Sequence, residues 1–433
     1  MQLSGWGRYP RVEVRLLEAH DPIPDIVRRE NSLIARGNGR AYGDAALNTP
    51  ATLSMLSSNA ILEFDTANGR LTCAAGALLA DIIETILPQG WFVPVSPGTS
   101  YVTLGGMVAA DVHGKNHHGA GSFCDHVDQL TVVLADGSTV TCGPSENPDL
   151  FAATRGGMGL TGIITAVTFR LIRVETGYIR QQTLRARNLA EAMAMFEAHA
   201  ATTYSVAWID ALAAGDAIGR SVLFLGEHAG REDIGTAPPY PKRKPKHRIP
   251  FDFPGPTLNR YSIAAFNALY HWRNKPGTAL IEYDTYFYPL DVVLEWNRIY
   301  GRSGFMEFQC VLPKPASAEG MTKILRRVAA SGGASFLAVL KLFGKQDGLL
   351  SFPMEGFTLA LDFRATPANF ALLRELDAIV ADHGGRLYLA KDACATPERL
   401  RQGYPRLEEF RAIRRRFDPE GRFSSEQSRR LGL

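Results

Sequence analysis

The sequence predicts an α+β protein of two domains, and three observations lead there. The chain has 433 residues, 45% hydrophobic and 21% charged, which is long and apolar enough for two cores. Short strand-like and helical runs alternate up to about residue 175. Beyond that the strands are few and the helices between them long, a pattern that suits one antiparallel sheet with helices on one face.

In the first part Ser32 to Ala35 and Leu71 to Ala74 read as strands, Leu78 to Leu87 as a helix and Trp91 to Val95 as a strand. Leu130 to Leu134 and Ser138 to Cys142 are β-rich and flank Asp136-Gly137, a favoured two-residue hairpin turn. Asn147 as N-cap and Pro148 at the first position open a helix that ends before Gly156, and Ile163 to Val174 is a long β-branched strand. After Glu175 a helix is expected at Leu189 to Ala198 and strands at Ser205 to Trp208 and Ser221 to Leu225. Asp233 to Pro256 carries seven prolines and, between Lys242 and Arg248, five basic residues, so it reads as a mobile loop. Strands follow at Glu282 to Tyr288, Phe305 to Leu312, Ser335 to Phe343 and Phe357 to Phe363, with helices at Ala318 to Ala330 and Ala368 to Asp382. After Gly384-Gly385, a strand at Arg386 to Ala390 and two Arg-rich helices close the chain. The first domain is therefore expected over residues 1–175, completed by 386–433, and the second over 176–385 with its basic loop at 233–256.

Charge and cysteine usage narrow the partners. The net charge is only +3, and without the five basic residues of the loop the body is slightly acidic, which argues against nucleic acid. The five cysteines are scattered, with no C-x-x-C pair, so neither a zinc site nor a disulfide framework is expected, and a reducing compartment fits. Met1 to Pro10 lacks an apolar signal-like run, and no eighteen apolar residues follow one another, so a cytoplasmic location is expected.

Chemistry concentrates in four glycine-rich segments: Arg36 to Asp44, Pro97 to Gly106, His113 to His118 and Gly156 to Gly162. Arg36 to Ile164 holds 18 of the 41 glycines. Successive N–H groups unshielded by Cβ atoms make concave anion sites, so several such loops in one domain suggest a large phosphorylated cofactor. Gly157-x-Gly159-x-x-Gly162 matches the dinucleotide fingerprint only as a string. A helix precedes it and a strand follows, the reverse of the arrangement that aims a helix N-terminus at a pyrophosphate. His113, His117 and His118 lack the carboxylate or cysteine that would complete a metal site, so no metal is expected. His117 and His118 either bond loop backbone or serve the cofactor, while Lys115 in its glycine-flanked loop fits an anion or a reduced cofactor. In the second domain Phe357, Leu359, Leu361 and Phe363 alternate with Thr358, Ala360 and Asp362, and Gln309, Lys341 and Lys391 interrupt apolar runs. These polar residues either face solvent or form a polar sheet face over a pocket.

On these motifs, together with Glu295 to Arg298, Lys341 to Gly344, Gly384 to Asp392 and the Arg429-Arg430-Leu431 ending, the chain resembles the FAD-dependent oxidases of the vanillyl-alcohol oxidase superfamily almost end to end. Within it the likeness is to the branch that oxidises polyprenylphosphoryl ribose. The resemblance implies a two-lobed PCMH-type FAD-binding domain under a cap domain. It implies a diphosphate held by the loop N–H groups of Gly37, Asn38, Gly39, Arg40, Ala41, Tyr42 and Gly43, with Arg36 and Asp44 at the ends of that loop also at the cofactor. The rest of FAD would meet Gly98, Thr103, Leu104, Gly105, Gly106, His113, Gly114, Lys115, Asn116, Ile164 and Tyr388. Many relatives link the flavin to a histidine in the first loop; Arg40 stands there, so non-covalent FAD is expected. Some relatives carry a cysteine where this chain has Ala360, so thiol-directed inhibition is not expected at that position.

The implied reaction removes hydride from the 2′ carbon of a lipid-linked ribosyl phosphate to the flavin and leaves a 2′-keto sugar, the first half of epimerisation to an arabinose donor for cell-wall arabinan. Lys391, His113 and Tyr42 are the catalytic candidates, with Lys391 as oxyanion stabiliser, while Gln309, Lys341 and Lys391 would bind the sugar phosphate. A NAD-dependent short-chain reductase would then act on the keto product. The basic loop is either a solvated connector or a guide for an anionic lipid headgroup, which would give a peripheral membrane contact. A soluble aldonolactone or alditol oxidase of the same superfamily is the alternative.

Overall fold

A computed structural model describes residues 1–19, 21–242, 246–332 and 337–433. The first domain is built on two sheets. Thr52–Ser54 lies between Leu16–Glu18 and Ile34–Arg36 in a parallel sheet, and the chain leaves Ile34–Arg36 directly into the Gly37 to Gly43 loop. The other sheet is antiparallel, in the order Thr139–Cys142, Val127–Val133, Ile163–Arg170, Arg70–Ala74, Ile61–Asp65. Helix Leu79–Ile86 buries Leu79, Ile82, Ile83 and Ile86 in the core of this lobe, the i, i+3, i+4, i+7 stripe of its sequence. Helix Leu104–Ala109 is capped by Thr103, whose hydroxyl accepts from the Gly106 N–H at 3.4 Å. The two lobes give the PCMH-type arrangement.

The second domain carries an eight-stranded antiparallel sheet. Its order is Gly277–Glu282, Tyr178–Ala186, Ser221–His228, Tyr204–Ile209, Ala338–Phe343, Gly356–Arg364, Phe305–Pro313, Arg386–Leu387. Register decides the chemistry of its two faces. Met306, Phe308, Cys310 and Leu312 pair with Phe363, Leu361, Leu359 and Phe357, and this face is buried under helices Leu189–Ala198, Lys314–Ser331 and Pro367–Asp382. The opposite face, turned to the first domain, presents Glu307 beside Asp362, Gln309 beside Ala360, and Lys341 beside Thr358. One alternating pattern thus anchors the sheet and furnishes a polar floor.

Several expectations need correction. Asp136-Gly137 is part of a three-residue loop, not a two-residue turn: Leu134 N–H bonds Ser138 O, Gly137 N–H bonds Leu134 O, and Gly137 adopts φ 80°. Tyr283–Phe287 is a helix where a strand was expected, because its aromatic residues mimic β composition while Tyr286 and Phe287 fill the core. The helix Arg260–Arg273 and strand Tyr178–Ala186 were not foreseen. Arg386–Leu387 pairs with Phe305–Pro313, so these residues join the sheet of the second domain, and three helices, not two, follow them. The expected strand from Ser335 begins, within the described residues, at Ala338. The segment 233–256 is pinned where it is described, which contradicts a mobile loop. Lys246 pairs with Asp284 at 2.6 Å, His247–Arg248 bridges Val293–Leu294, and Arg8 donates to Asp252 Oδ2 at 3.2 Å. Arg243, Lys244 and Pro245 of that segment lie outside the described residues.

Among the contacts that close the C-terminus on the first domain, one cation joins two buried carboxylates. Arg430 donates from Nη2 to Asp44 Oδ1 at 2.7 Å and to Asp392 Oδ2 at 2.9 Å, both carboxylates being buried. Burial pushes the Asp44 carboxyl upward and Arg430 opposes that shift. Removing the cation leaves two buried carboxylates uncompensated, so Arg430→Met is expected to cost about 3–5 kcal/mol in denaturant unfolding of the holoenzyme, with only partial recovery in Arg430→Lys.

Candidate active site

Between the glycine loops and the polar sheet face lies a cavity of about 320 Å³. One wall is backbone. The N–H groups of Gly37, Asn38, Gly39, Arg40 and Ala41 find no acceptor among the described residues, and all five residues border the cavity. That is the unshielded donor array a diphosphate requires. Two glycines are needed for reasons of space. A Cβ on Gly37 would come within 2.1 Å of the Thr103 hydroxyl, so the first and second glycine loops approach only with hydrogen there. At Gly98 a Cβ would meet nothing within 4 Å and would project into the cavity itself. Asp291 ties down the second loop, accepting from Thr99 Oγ1 at 2.6 Å and from Ser100 N at 2.7 Å. The Arg40 guanidinium lies 3.9 Å from the Trp6 ring centroid, and its buried Nε has no acceptor among the described residues.

The facing wall is made of side chains. Lys391 Nζ sits 2.7 Å from Glu307 Oε2 and 3.7 Å from the centroid of the Tyr42 ring. Glu307 faces Asp362 across the strand pair, and Tyr300 Oη donates to Asp362 Oδ2 at 3.0 Å. Burial, then Glu307, drives the Asp362 carboxyl well up against the pull of Lys391. Asp362 is therefore the carboxyl biased towards its protonated form, and Glu307 is the one in contact with Lys391. Burial with the same two acids holds the Tyr42 phenol well above its ordinary value, so it stays protonated. Burial and the neighbouring Lys391 push Lys341 down to about 8, Glu307 opposing.

His113 bridges the two domains. Gln309 Nε2 lies 3.0 Å from His113 Nε2 and 3.3 Å from Thr358 Oγ1. The Thr358 hydroxyl donates to Cys310 O at 2.8 Å and so accepts from Gln309. Gln309 thus donates to His113 Nε2, the proton of the ring is on Nδ1, and that buried Nδ1 has no acceptor among the described residues. Burial first, then Lys341, His117 and Lys391, hold His113 well below its ordinary value. A neutral imidazole in this setting orients a ligand and resists taking a proton.

The structure gathers Gly37 to Tyr42, Gly98, Thr103, Gly105, Gly106, His113, Ile164 and Tyr388 around the cavity with Gln309, Lys341 and Lys391. Other expected cofactor residues have structural work instead. Arg36 donates to Ser4 O at 2.7 Å, Asp44 pairs with Arg430, Gly43 closes on the Asp392 carbonyl, and Leu104 is in the core. Gly114 packs beneath Ser96, and Asn116 donates to Pro94 O at 2.8 Å. Lys115, expected at an anion, is buried with its Nζ against the Tyr286 carbonyl and 4.2 Å from the Tyr286 ring centroid. His117 bonds Gln346 at 3.1 Å and His118 reaches Thr202 O at 2.8 Å, the backbone-and-scaffold role left open for them. Glu307 was missed, although it lies two residues before Gln309 in a strand and so shares its face. Among the described residues no cluster of metal-ligating side chains occurs, and no helix is long and apolar enough to cross a membrane.

Comparison with known proteins gives two family matches: an FAD binding domain over residues 23–143 and a D-arabinono-1,4-lactone oxidase family over residues 361–431. The whole chain is 36% identical to the decaprenylphosphoryl-β-D-ribose oxidase of Mycolicibacterium smegmatis, covering 97% of that protein. A Streptomyces coelicolor protein described only by its position in the mprA 5′ region is 37% identical over 81% of this chain and 99% of its own. Mouse L-gulonolactone oxidase is 29% identical over 34% of this chain and 33% of its own. The donor array at Gly37 to Ala41 and the orphaned Arg40 Nε fit the charged part of FAD.

Lys341 gives the site a pH signature. Its ammonium is present below about 8 and lost above it, so an anion held by Lys341 should bind progressively more weakly as pH rises through that value. Calorimetric titration with a phosphorylated sugar analogue should show this weakening in the holoenzyme and a flat profile in Lys341→Met.

Proposed function

Because this chain belongs to the family of FAD-dependent oxidases that includes the mycobacterial decaprenylphosphoryl-β-D-ribose oxidase, we propose that it oxidises the 2′-hydroxyl of a polyprenylphosphoryl-β-D-ribose to the 2′-keto sugar. The observation that carries this reading is the cation pair Lys391 and Lys341 on one polar sheet face, opposite the glycine cradle, with Gln309 and His113 between. A sugar phosphate presents an anion as well as a reacting hydroxyl, and this face offers a cation to each, whereas a free polyol has no anion for the second.

The enzyme is an FAD-dependent oxidoreductase. Bound FAD supplies a two-electron acceptor for the hydrogen on the carbinol carbon. Arg40 stands at the linking position and offers no nucleophile, which supports a non-covalent cofactor. An alcohol gives up its carbon-bound hydrogen readily only as its oxygen gains negative charge. Lys391, fixed between Glu307 and the Tyr42 ring, is the donor for that oxygen, and the hydroxyl proton leaves to Glu307, the carboxylate that borders the cavity beside Lys391. Tyr42 remains a protonated phenol, while His113 and Gln309 orient the sugar edge. Lys341 binds the phosphate. These assignments make His113 and Tyr42, two of the three catalytic candidates of the sequence, orienting groups.

The keto product would pass to a NAD-dependent short-chain reductase, completing epimerisation towards arabinan, and the lipid tail of the substrate gives the enzyme a reason to work peripherally at a membrane. The D-arabinono-1,4-lactone oxidase match at residues 361–431 favours the second reading, a soluble aldonolactone or alditol oxidase. Anaerobic mixing separates the two: a short-chain prenylphosphoryl ribose should bleach the yellow of bound FAD, and free alditols or aldonolactones should not. Lys391→Ala should keep its yellow FAD yet be reduced about 10²–10³-fold more slowly, the scale of losing one oxyanion donor. Reduction by lactones alone would transfer the enzyme to the second reading.

A further inference from the structure

The helix Arg260–Arg273 turns an apolar face outward. Its inner face is narrow: Ile263 and Asn267 are buried, Asn267 Nδ2 donates to Asp210 Oδ1 at 2.6 Å, and the Tyr270 ring lies 4.7 Å from Trp208. Outward, at spacings that share one helical face, stand Tyr261, Ala265, Leu269 and Trp272. Tyr261, Leu269 and Trp272 are 84%, 58% and 68% exposed. A helix facing water carries polar residues on that side, and a contiguous apolar patch marks a contact surface.

Charge indicates what the surface meets. Thr257 to Ile281 contains Arg260, Arg273 and Lys275 and no acidic residue. The stretch thus carries a formal charge of +3 in a chain of 47 Lys+Arg and 44 Asp+Glu. Cations at both ends of a helix, with Tyr and Trp next to them and Leu between, match the boundary between lipid headgroups and acyl chains. The described part of the basic loop is less suited to that role. Lys246 is paired with Asp284 at 2.6 Å and Arg248 with Glu295 at 3.7 Å.

Position completes the argument. Trp208, on which Tyr270 packs, pairs in register with Val339, and Val339 lines the cavity. The helix therefore lies across the outer strands on the same sheet face that forms the cavity floor. Leu258, just ahead of it, packs on the Tyr42, Trp296, Tyr300 and Phe305 cluster at the cavity wall.

We propose that the outer face of helix Arg260–Arg273 docks on an anionic lipid bilayer beside the cavity. Only its purpose, letting a prenyl tail stay in the bilayer while the sugar enters the site, rests on the substrate reading above. The test uses the holoenzyme and vesicles without substrate, so failure of docking and failure of the substrate reading are separate results. The enzyme should sediment with phosphatidylcholine vesicles containing phosphatidylglycerol, more weakly with phosphatidylcholine alone, and less in high salt. Leu269→Glu/Trp272→Glu should lower partitioning about tenfold or more while keeping bound FAD and turnover of a short-chain soluble substrate. Neutralising Lys242, Arg243 and Lys244 to Gln should leave partitioning largely intact. Unchanged partitioning of the helix variant, or loss confined to the loop variant, would overturn the proposal. So would sedimentation velocity showing a dimer that the helix variant dissociates, with no vesicle binding in the wild type.

Discussion

The ion pair between Lys391 and Glu307 is the interaction on which the site depends. Lys391 arrives from the turn after Arg386–Leu387 and Glu307 from the strand it pairs with, so the 2.7 Å contact exists only when the C-terminal segment has joined the sheet. Asp362 beside Glu307 is biased towards its protonated form, and the Tyr42 ring covers the ammonium at 3.7 Å. A lysine buried without such a partner would tend to lose its charge, as Lys341 and Lys115 do, at about 8 and about 7. The site thus contains cations of different character: Lys391 is paired with a carboxylate, and Lys341 is lowered to about 8 by burial and its neighbour Lys391.

The same sheet does three jobs by alternation. Its apolar residues seal a core beneath three helices, its polar residues floor the cavity, and its outer strands carry the helix whose apolar stripe faces outward. Cofactor, sugar and lipid chemistry are therefore laid in sequence along one surface. The first domain supplies backbone donors and the second supplies charge, and His113 and Gln309 join them by one hydrogen bond at 3.0 Å.

Much of this was legible in the sequence where a local rule and the tertiary environment agree. The glycine loops announced an anion cradle because only glycine permits the approach of Gly37 to Thr103, and the alternation from Phe357 to Phe363 announced a two-faced strand. The helix Arg260–Arg273 was silent because apolar residues stand on both its faces, Ile263 and Tyr270 inward and Tyr261, Leu269 and Trp272 outward, so no single apolar stripe marks it. Tyr283–Phe287 misled because burial on all sides and β composition look alike in sequence. Glu307 needed the register: an acid in a strand is usually a solvent-facing residue, and only its pairing with Asp362 and its contact with Lys391 give it a role. Lys115 fell the other way, since its glycine-flanked loop suggested an anion and the fold buries it against aromatic rings.

The central claim, that Lys391 and its neighbours serve oxidation at the 2′ carbon of a ribosyl phosphate, is tested most directly by an isotope. A short-chain prenylphosphoryl ribose carrying deuterium at C2′ should reduce the enzyme several-fold more slowly than the protio compound under anaerobic single-turnover conditions. Equal rates, or slowing only when deuterium sits on another ribose carbon, would contradict the account.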